Sequence, residues 1–211
     1  MSSNRSGPES ASSTPVELPV LGAPVRERAD AARNRLRALT AAETLFAERG
    51  VDAVTMDDVA NAAGVGKGTL YRRFGDKAGL AMALLDERER ELQHRILTGP
   101  PPLGPGAPPT DRLAAFVEAY LDLLTRQLDL VLLSETATTG ARFRTGAHTL
   151  WRQHTRHLLD AGGAPDAEIA ADVLLAALSA EQVRHWLRDR ELDSATLAGS
   201  LVALVRTWTA T

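Results

Sequence analysis

Six of the chain's 11 prolines lie between Gly99 and Pro109, in the sequence GPPPLGPGAPP. Neither a helix nor a sheet tolerates this density, because proline lacks a backbone N–H donor and clashes with the preceding helical turn. The segment predicts a proline-rich linker at 99–109 between a block at 26–98 and a block at 110–211. With 44% hydrophobic residues in 211, the chain has enough apolar side chains for a buried core.

Apolar residues on both sides of this linker recur at helical spacing, without a convincing strand pattern. Periodicity and breaks predict one helix that ends at Gly50 and others at 55–64, 67–74, 77–97, 113–124, 145–161, 166–190 and 194–209. Thr55 and Asp76 are predicted N-caps, because their side-chain oxygens accept hydrogen bonds from free helical N–H groups. We therefore expect an all-α protein of about nine helices.

Residues 1–25 contain six serines and four prolines but no periodic apolar face. Burial would not repay the conformational entropy of ordering them, so we expect a disordered tail. Arg5 is its only positive charge, which is too little for a signal peptide or for a basic arm in a DNA groove. Since no apolar run approaches the roughly 20 residues that span a bilayer, we expect a cytoplasmic protein without membrane contact.

Several chemistries are excluded or disfavoured. The chain has no cysteine, which excludes disulfides, thiolate zinc sites and cysteine nucleophiles. His154 and His157 lie one turn apart without a third metal ligand at suitable spacing, so we predict no metal and no cofactor. There is no glycine-rich phosphate loop and no convincing nucleophile–base pair, so an enzyme is not expected. The net charge of −3 excludes a globally basic protein but leaves room for a local basic surface.

Residues 55–74 have the spacing of a helix-turn-helix. Ala60 is small enough for two helices to cross, and Gly64, four positions later, tolerates the positive φ that a tight turn requires. The apolar residues that would fill the wedge between the helices are Val59, Ala63, Val65 and Leu70. The motif would place its second helix in the major groove of DNA. A helical hairpin with a solvated basic face is the alternative.

The second helix of this motif carries side chains suited to DNA. From Gly64 to Lys77 there are four basic residues and one acidic residue, a net charge of +3. Gly68 would let the backbone approach a phosphate near the helix start, and Thr69 could touch a base edge or a thymine methyl group. Tyr71 and Lys77 are better placed for phosphates, which position a protein without specifying sequence.

The stretch from Arg35 to about Leu84 resembles the TetR family of transcriptional regulators. Three motifs carry the resemblance: RxxALxAAxxLFAERG at 35–50, TMDDVAxxAGV at 55–65 and KGTLYRRFxDKxxL at 67–80. Ala38 stands where the family usually has isoleucine or valine, which thins the core slightly. Gly66 stands where serine is frequent, which removes a hydroxyl that could cap the helix or meet phosphate.

The resemblance implies a helix-turn-helix DNA-binding domain at 26–75, a connecting helix at 76–98 and a ligand-binding and dimerisation domain at 110–211. Such a homodimer would bind a pseudo-palindromic double-stranded operator, most often as a repressor released by a small-molecule effector. The DNA-binding residues it implies are Thr55 and Lys77 on phosphates and a recognition surface of Lys67, Gly68, Thr69, Tyr71, Arg72 and Arg73. The alternative is an architectural DNA-binding protein without a ligand, and an internal pocket of about a few hundred Å3 would argue against it.

The second block matches no motif, so its ligand contacts are predicted from side-chain type alone. The residues that combine apolar surface with a polar tip, or add an aromatic ring, are Tyr120, Phe143, Trp151, His154 and Gln182. Each could equally be a core residue. Arg142 and Arg144 could face an anionic ligand, although a solvated loop is the simpler interpretation.

The last two predicted helices carry apolar residues at alternating spacings of four and three. These residues are Ile169, Val173, Ala176, Ala180, Val183 and Leu187 on one helix, and Leu197, Leu201, Leu204 and Trp208 on the other. This pattern favours near-parallel helix packing and predicts a four-helix interface between two subunits. A seam within one chain is the alternative.

Overall fold

The structure, a computed structural model, describes residues 25–136 and 139–209, with side chains from residue 29 onward. Its helices are α1 (Val25–Arg49), α2 (Met56–Ala63), α3 (Lys67–Phe74), α4 (Lys77–Thr98), α5 (Pro109–Arg126), α6 (Leu128–Thr136), α7 (Gly146–Ala161), α8 (Ala167–Ala177), α9 (Ala180–Arg184) and α10 (Ser194–Trp208). A 3-10 turn at Ala141–Arg144 precedes α7, and a π turn at His185–Asp189 follows α9. No strand occurs in the described ranges, and the predicted all-α fold is confirmed. The predicted tail lies outside these ranges except for Val25, which begins α1.

Local capping sets the ends of the N-terminal helices. The Thr55 hydroxyl accepts a hydrogen bond from the Asp58 backbone N–H, and the Asp58 side chain accepts one from the Thr55 backbone N–H. This reciprocal pair is a capping box, which satisfies two free donors at the start of α2. Gly64 ends α2 at φ +59°, and the Asp76 carboxylate accepts from Gly79 N–H at the start of α4. The predicted caps at Thr55 and Asp76 are confirmed.

One prediction about the C-terminal helices was wrong, and one helix was not predicted. The single helix expected at 166–190 is broken, because α8 ends at Ala177 and Ser179 caps α9 through a hydrogen bond from Gln182 N–H. Helix α6 was not predicted, since its sequence LDLVLLSET is apolar on most sides and shows little periodicity. Within the proline-rich segment, Leu103 is buried in the C-terminal core, and Pro109 begins α5.

The buried side chains form two hydrophobic clusters that share helices α4 and α6. The first cluster joins α1, α2, α3, the start of α4 and Leu130 of α6, and the second joins the rest of α4 to α5–α10. Leu80 and Leu84 of α4 belong to the first cluster, whereas Leu85, Leu92 and Ile96 belong to the second. Helix α4 therefore forms part of both cores. None of the described helices is long and apolar enough to cross a bilayer.

Candidate DNA interface and interior cavity

The turn of the helix-turn-helix is fixed by packing between α2 and α3 and by a hydrogen bond from α1. Ala60 and Leu70 are almost completely buried where α2 crosses α3. Val65 N–H donates to the Ala60 carbonyl (3.1 Å), and the Arg37 guanidinium of α1 donates to the Gly64 carbonyl (3.2 Å). These contacts fix the turn against α1, so the orientation of α3 is determined by a packed core rather than by a loop.

Helix α3 presents most of the predicted recognition residues to solvent. Gly68, Tyr71, Arg72 and Arg73 are exposed, Tyr71 by 41% of its surface, and Thr69 is half-buried beside them. A Cβ added at Gly68 would meet no atom within 4 Å, so its backbone is open to a close approach. Lys67 is also exposed, and its ammonium pairs with the Asp57 carboxylate of α2 (2.6 Å). The structure thus brings these six residues together on one helix.

Thr55 and Lys77 lie at helix starts, but their polar groups are already engaged. The Thr55 hydroxyl donates to the Asp58 carboxylate (2.7 Å) while it caps α2. The Lys77 ammonium donates to the carbonyls of Val51 (2.9 Å) and Asp52 (3.0 Å). Both side chains stabilise the segment that supports α3. Their expected contacts with phosphate remain predictions.

A small cavity lies inside the second core. It is lined by Leu85, Glu89, Tyr120, Val131, Ser134, Glu135, Arg142, Thr145, His148 and Trp151. Its volume of about 20 Å3 is close to the space that one water molecule needs, about 10–15 Å3. Tyr120 and Trp151 are 5% and 1% exposed, and their rings lie 5.6 Å apart. The cavity lining therefore combines charged, polar and aromatic side chains.

The other three predicted ligand contacts do not line this cavity. Phe143 is 68% exposed and lies in an outer groove beside His148 and α8. His154 packs edge-on against Phe116 (5.4 Å), and burial, aided by nearby charged groups, lowers the pKa of its imidazole to about 4. Gln182 is half-buried in the first turn of α9, where its backbone N–H donates to Ser179. The structure brings together two of the five residues.

Three charged residues line the cavity. Glu135 accepts a hydrogen bond from Ala180 N–H (2.9 Å) and lies 3.3 Å from Arg142 Nε, while burial raises the pKa of its carboxyl. The Arg142 guanidinium also donates to the Leu175 carbonyl. Glu89 differs, since no hydrogen bond or ion pair joins its carboxylate to another described residue. Burial above all, and then the charges of Asp86 and Glu135, raise the pKa of Glu89 to about 7.

The comparisons with known proteins agree with the geometry of the N-terminal helices. Residues 38–84 match the sequence model of the family described as bacterial regulatory proteins, tetR family. The matched residues are the second half of α1, all of α2 and α3 and the start of α4. The chain is 36% identical over 110 residues to the HTH-type transcriptional regulator ArpR of Pseudomonas putida, which is 51% of this chain and 52% of that protein. It thus spans about half the length of the curated relatives it matches.

Solved structures extend the likeness to the overall fold. A transcriptional regulator from Saccharomonospora viridis, solved in complex with choline, has a TM-score of 0.67 and 21% identity over 83% of this chain and 96% of that chain. A TetR-family regulator from Rhodococcus sp. has a TM-score of 0.62 and 21% identity over 84% and 99%. At such identity the likeness shows the fold alone.

Sequence reasoning missed the acidic residues of the cavity, although a pattern marks them. Leu85, Glu89, Leu92 and Ile96 follow spacings of four, three and four along α4, so Glu89 occupies a position of the buried face. Glu135 stands four residues after buried Val131 on α6 in the same way. An acidic residue in an apolar helical row indicates a polar interior site. The row on α4 thus places Glu89 in the cavity wall on a helix that contributes to both cores.

Proposed function

We propose that this protein is a sequence-specific DNA-binding transcriptional regulator that acts as a repressor. The observation that carries the proposal is the exposed face of α3, where Tyr71, Arg72 and Arg73 project from a helix fixed by two others. Such a helix fits the major groove, with basic side chains for phosphates and base edges. The relatives named as HTH-type transcriptional regulators support this proposal.

The second part of the proposal is release from the operator by a small-molecule effector. The cavity borders α4, whose first turn also supports the helix-turn-helix through Lys77. Since the cavity holds about one water molecule, an effector must push its walls apart, and α4 is one of them. A ligand that favours this displaced state shifts the population away from DNA-binding geometry. The choline complex of the Saccharomonospora viridis regulator supports a small organic effector.

The third part is a homodimer on a two-fold symmetric operator. Ile169 and Val173 of α8 and Leu204 of α10 are 58%, 49% and 40% exposed, which leaves apolar surface on the C-terminal helices for a second subunit. Four other residues of the predicted dimer seam, Ala180, Val183, Leu197 and Leu201, are buried within their own chain. The proposed interface therefore uses only the exposed part of that pattern.

Selection from a random duplex library tests the DNA part directly. The purified protein is expected to enrich a sequence with two inverted half-sites, whose centres lie about one helical turn or a multiple of it apart. Binding should survive random competitor DNA and weaken steeply as salt rises. Failure to enrich any sequence would contradict a specific regulator. An enriched site without release by any small molecule would instead favour the architectural alternative, with which the small cavity is also compatible.

Replacement of a recognition arginine tests the assignment of α3. Arg72→Ala should weaken binding to the selected operator by about 1–3 kcal/mol and reduce the salt slope by about one if Arg72 contacts phosphate. Fluorescence anisotropy at several salt concentrations measures both quantities. Arg156→Ala, an exposed arginine on α7, is the matched control and should bind as the unmodified protein does. Equal affinity for both variants would show that α3 does not face the DNA.

A further inference from the structure

The interior cavity and an outer groove share one residue. The groove, about 360 Å3, lies between α4 and the start of α7 and is lined by Asp86, Glu89, Arg90, Gln93, Gly146, Ala147 and Leu150. Glu89 of α4 lines both the groove and the cavity. The half-buried Glu89 carboxylate therefore stands between solvent and the cavity.

The charge of the cavity is not balanced. Its lining contains two carboxylates, Glu89 and Glu135, and one guanidinium, Arg142. Glu135 and Arg142 pair with each other, and Arg142 also donates to the Leu175 carbonyl, so this cation is already engaged. Glu89 is left without a counter-ion among the described residues. Removal of an unpaired carboxylate from water costs free energy, which a positively charged ligand would recover.

The cavity lining also contains two aromatic rings, those of Tyr120 and Trp151. The Tyr120 ring stacks on Phe116 with centroids 5.6 Å apart and an angle of 8°, and the Trp151 ring lies at 48° to Tyr120. Tyr120 is 5% exposed, yet its hydroxyl makes no hydrogen bond to a described residue. Tyr120 lines the cavity, and burial, together with the charges of Glu135 and Glu89, raises the pKa of its phenol. Aromatic faces attract cations, most strongly where water is excluded.

We infer that the effector is an organic cation, an amine or quaternary ammonium compound, that enters between α4 and α7 and pairs with Glu89 against Tyr120 and Trp151. This inference rests on the proposed function, since it names the chemical class of the effector. An anionic effector does not fit, because the only guanidinium in the wall is held by Glu135 and Leu175. The cation would also contact α4 directly, so its binding energy acts on the helix that supports the DNA-binding domain.

The pH dependence of binding follows from Glu89 and its neighbours. Asp86 and Arg90 face it from its own helix, Glu135 from α6, Tyr120 from α5, Arg142 from the 3-10 turn and His148 from α7. The pKa of Glu89 is about 7, and a cation binds only the ionised form. The ionised fraction rises from about one-tenth at pH 6 to about nine-tenths at pH 8. The affinity for a cation should therefore increase about tenfold over this interval.

Isothermal titration calorimetry with defined probes tests the inference. The probes are choline and benzyltrimethylammonium, with 3,3-dimethylbutan-1-ol as the uncharged analogue of choline. Glu89→Gln should weaken binding of the cations at pH 8 about tenfold or more and remove the pH dependence, while affinity for the alcohol stays the same. Glu118→Gln, which replaces an exposed carboxylate on α5, is the matched control and should leave all three affinities unchanged. Thermal unfolding should show that both variants are folded.

Three results would overturn the inference: equal cation affinity in Glu89→Gln and the unmodified protein, equal affinity for choline and its uncharged analogue, or no binding of either cation at millimolar concentration. DNA binding is measured on the same samples with the selected operator. Specific DNA binding without cation binding would refute only the effector class. Cation binding without specific DNA binding would refute the proposed function and leave the Glu89 site intact.

Discussion

At the scale of single residues, Lys77 has a structural contact that competes with its expected role at DNA. Its ammonium donates to the carbonyls of Val51 and Asp52, which lie in the turn between α1 and α2. Lys77→Met keeps the length of the side chain but leaves both carbonyls without this donor. We expect the free energy of unfolding to fall by about 1–2 kcal/mol, measured by urea denaturation.

A second variant distinguishes a loss of stability from a loss of contact with DNA as the cause of weaker operator binding. Arg72→Met removes an exposed cation from α3, so unfolding should change by less than about 0.5 kcal/mol while operator affinity falls. If Lys77→Met is as stable as the unmodified protein but loses operator affinity, the lysine acts on phosphate and its carbonyl contacts contribute little.

At the scale of helices, a partly buried polar contact of Glu43 joins α1 to α4 and to the end of α5. Glu43 of α1 accepts hydrogen bonds from Arg88 Nε of α4 (2.8 Å) and from Gln127 Nε2 at the end of α5 (2.7 Å). Gln127 is only 5% exposed, so its amide depends on this partner. A double-mutant cycle with Glu43→Ala and Gln127→Ala should give a coupling energy above about 0.5 kcal/mol, measured from unfolding curves.

The control for this cycle pairs Gln127→Ala with Glu118→Ala. Glu118 is exposed on α5, the helix that ends directly before Gln127. These two changes should be additive within about 0.5 kcal/mol. Additivity of the Glu43 and Gln127 changes as well would show that the contact does not couple the two cores.

The helices also show which parts of the structure the sequence could predict. The caps at Thr55 and Asp76 and the turn at Gly64 depend on residues within four positions, so local pattern was sufficient. The break at Ser179 was missed because the apolar spacing continues across it, and the cap competes with helix propensity. Contacts such as Lys77 with Val51, 26 positions apart, depend on packing that no local pattern encodes.

The cavity illustrates the same limit. Tyr120 and Trp151 were selected for their side-chain type, which combines apolar surface with a polar group, and the structure buries both beside the cavity. Phe143 was selected in the same way but lies exposed in a 3-10 turn away from the cavity, because side-chain type does not encode position. The spacing along α4 marks Glu89 as a residue of the buried face, but that its carboxylate has no hydrogen bond or ion pair with a described residue follows only from the packing of α4, α6 and α7.

At the scale of the whole molecule, a two-fold symmetric operator requires two recognition helices held at a fixed separation. One chain supplies a single α3, so the separation must come from an interface between subunits. Leu204 of α10 is 40% exposed, whereas its neighbours Leu201 and Val205 are buried in the second core. Leu204→Glu should therefore leave the fold intact and reduce the dimer fraction, because a carboxylate in an apolar interface loses its hydration.

Sedimentation velocity over a range of protein concentrations measures this change, and operator affinity should fall with it, since a monomer binds one half-site only. Leu97→Glu is the matched control, as Leu97 is 58% exposed at the end of α4 and outside the predicted seam. If Leu97→Glu weakens the dimer and Leu204→Glu does not, the interface includes the end of α4 and not α10. If neither substitution alters the dimer, the exposed apolar residues of both helices lie outside the interface. Parallel loss of dimer and operator affinity in Leu204→Glu alone would connect the apolar face of α10 to the spacing of the two recognition helices.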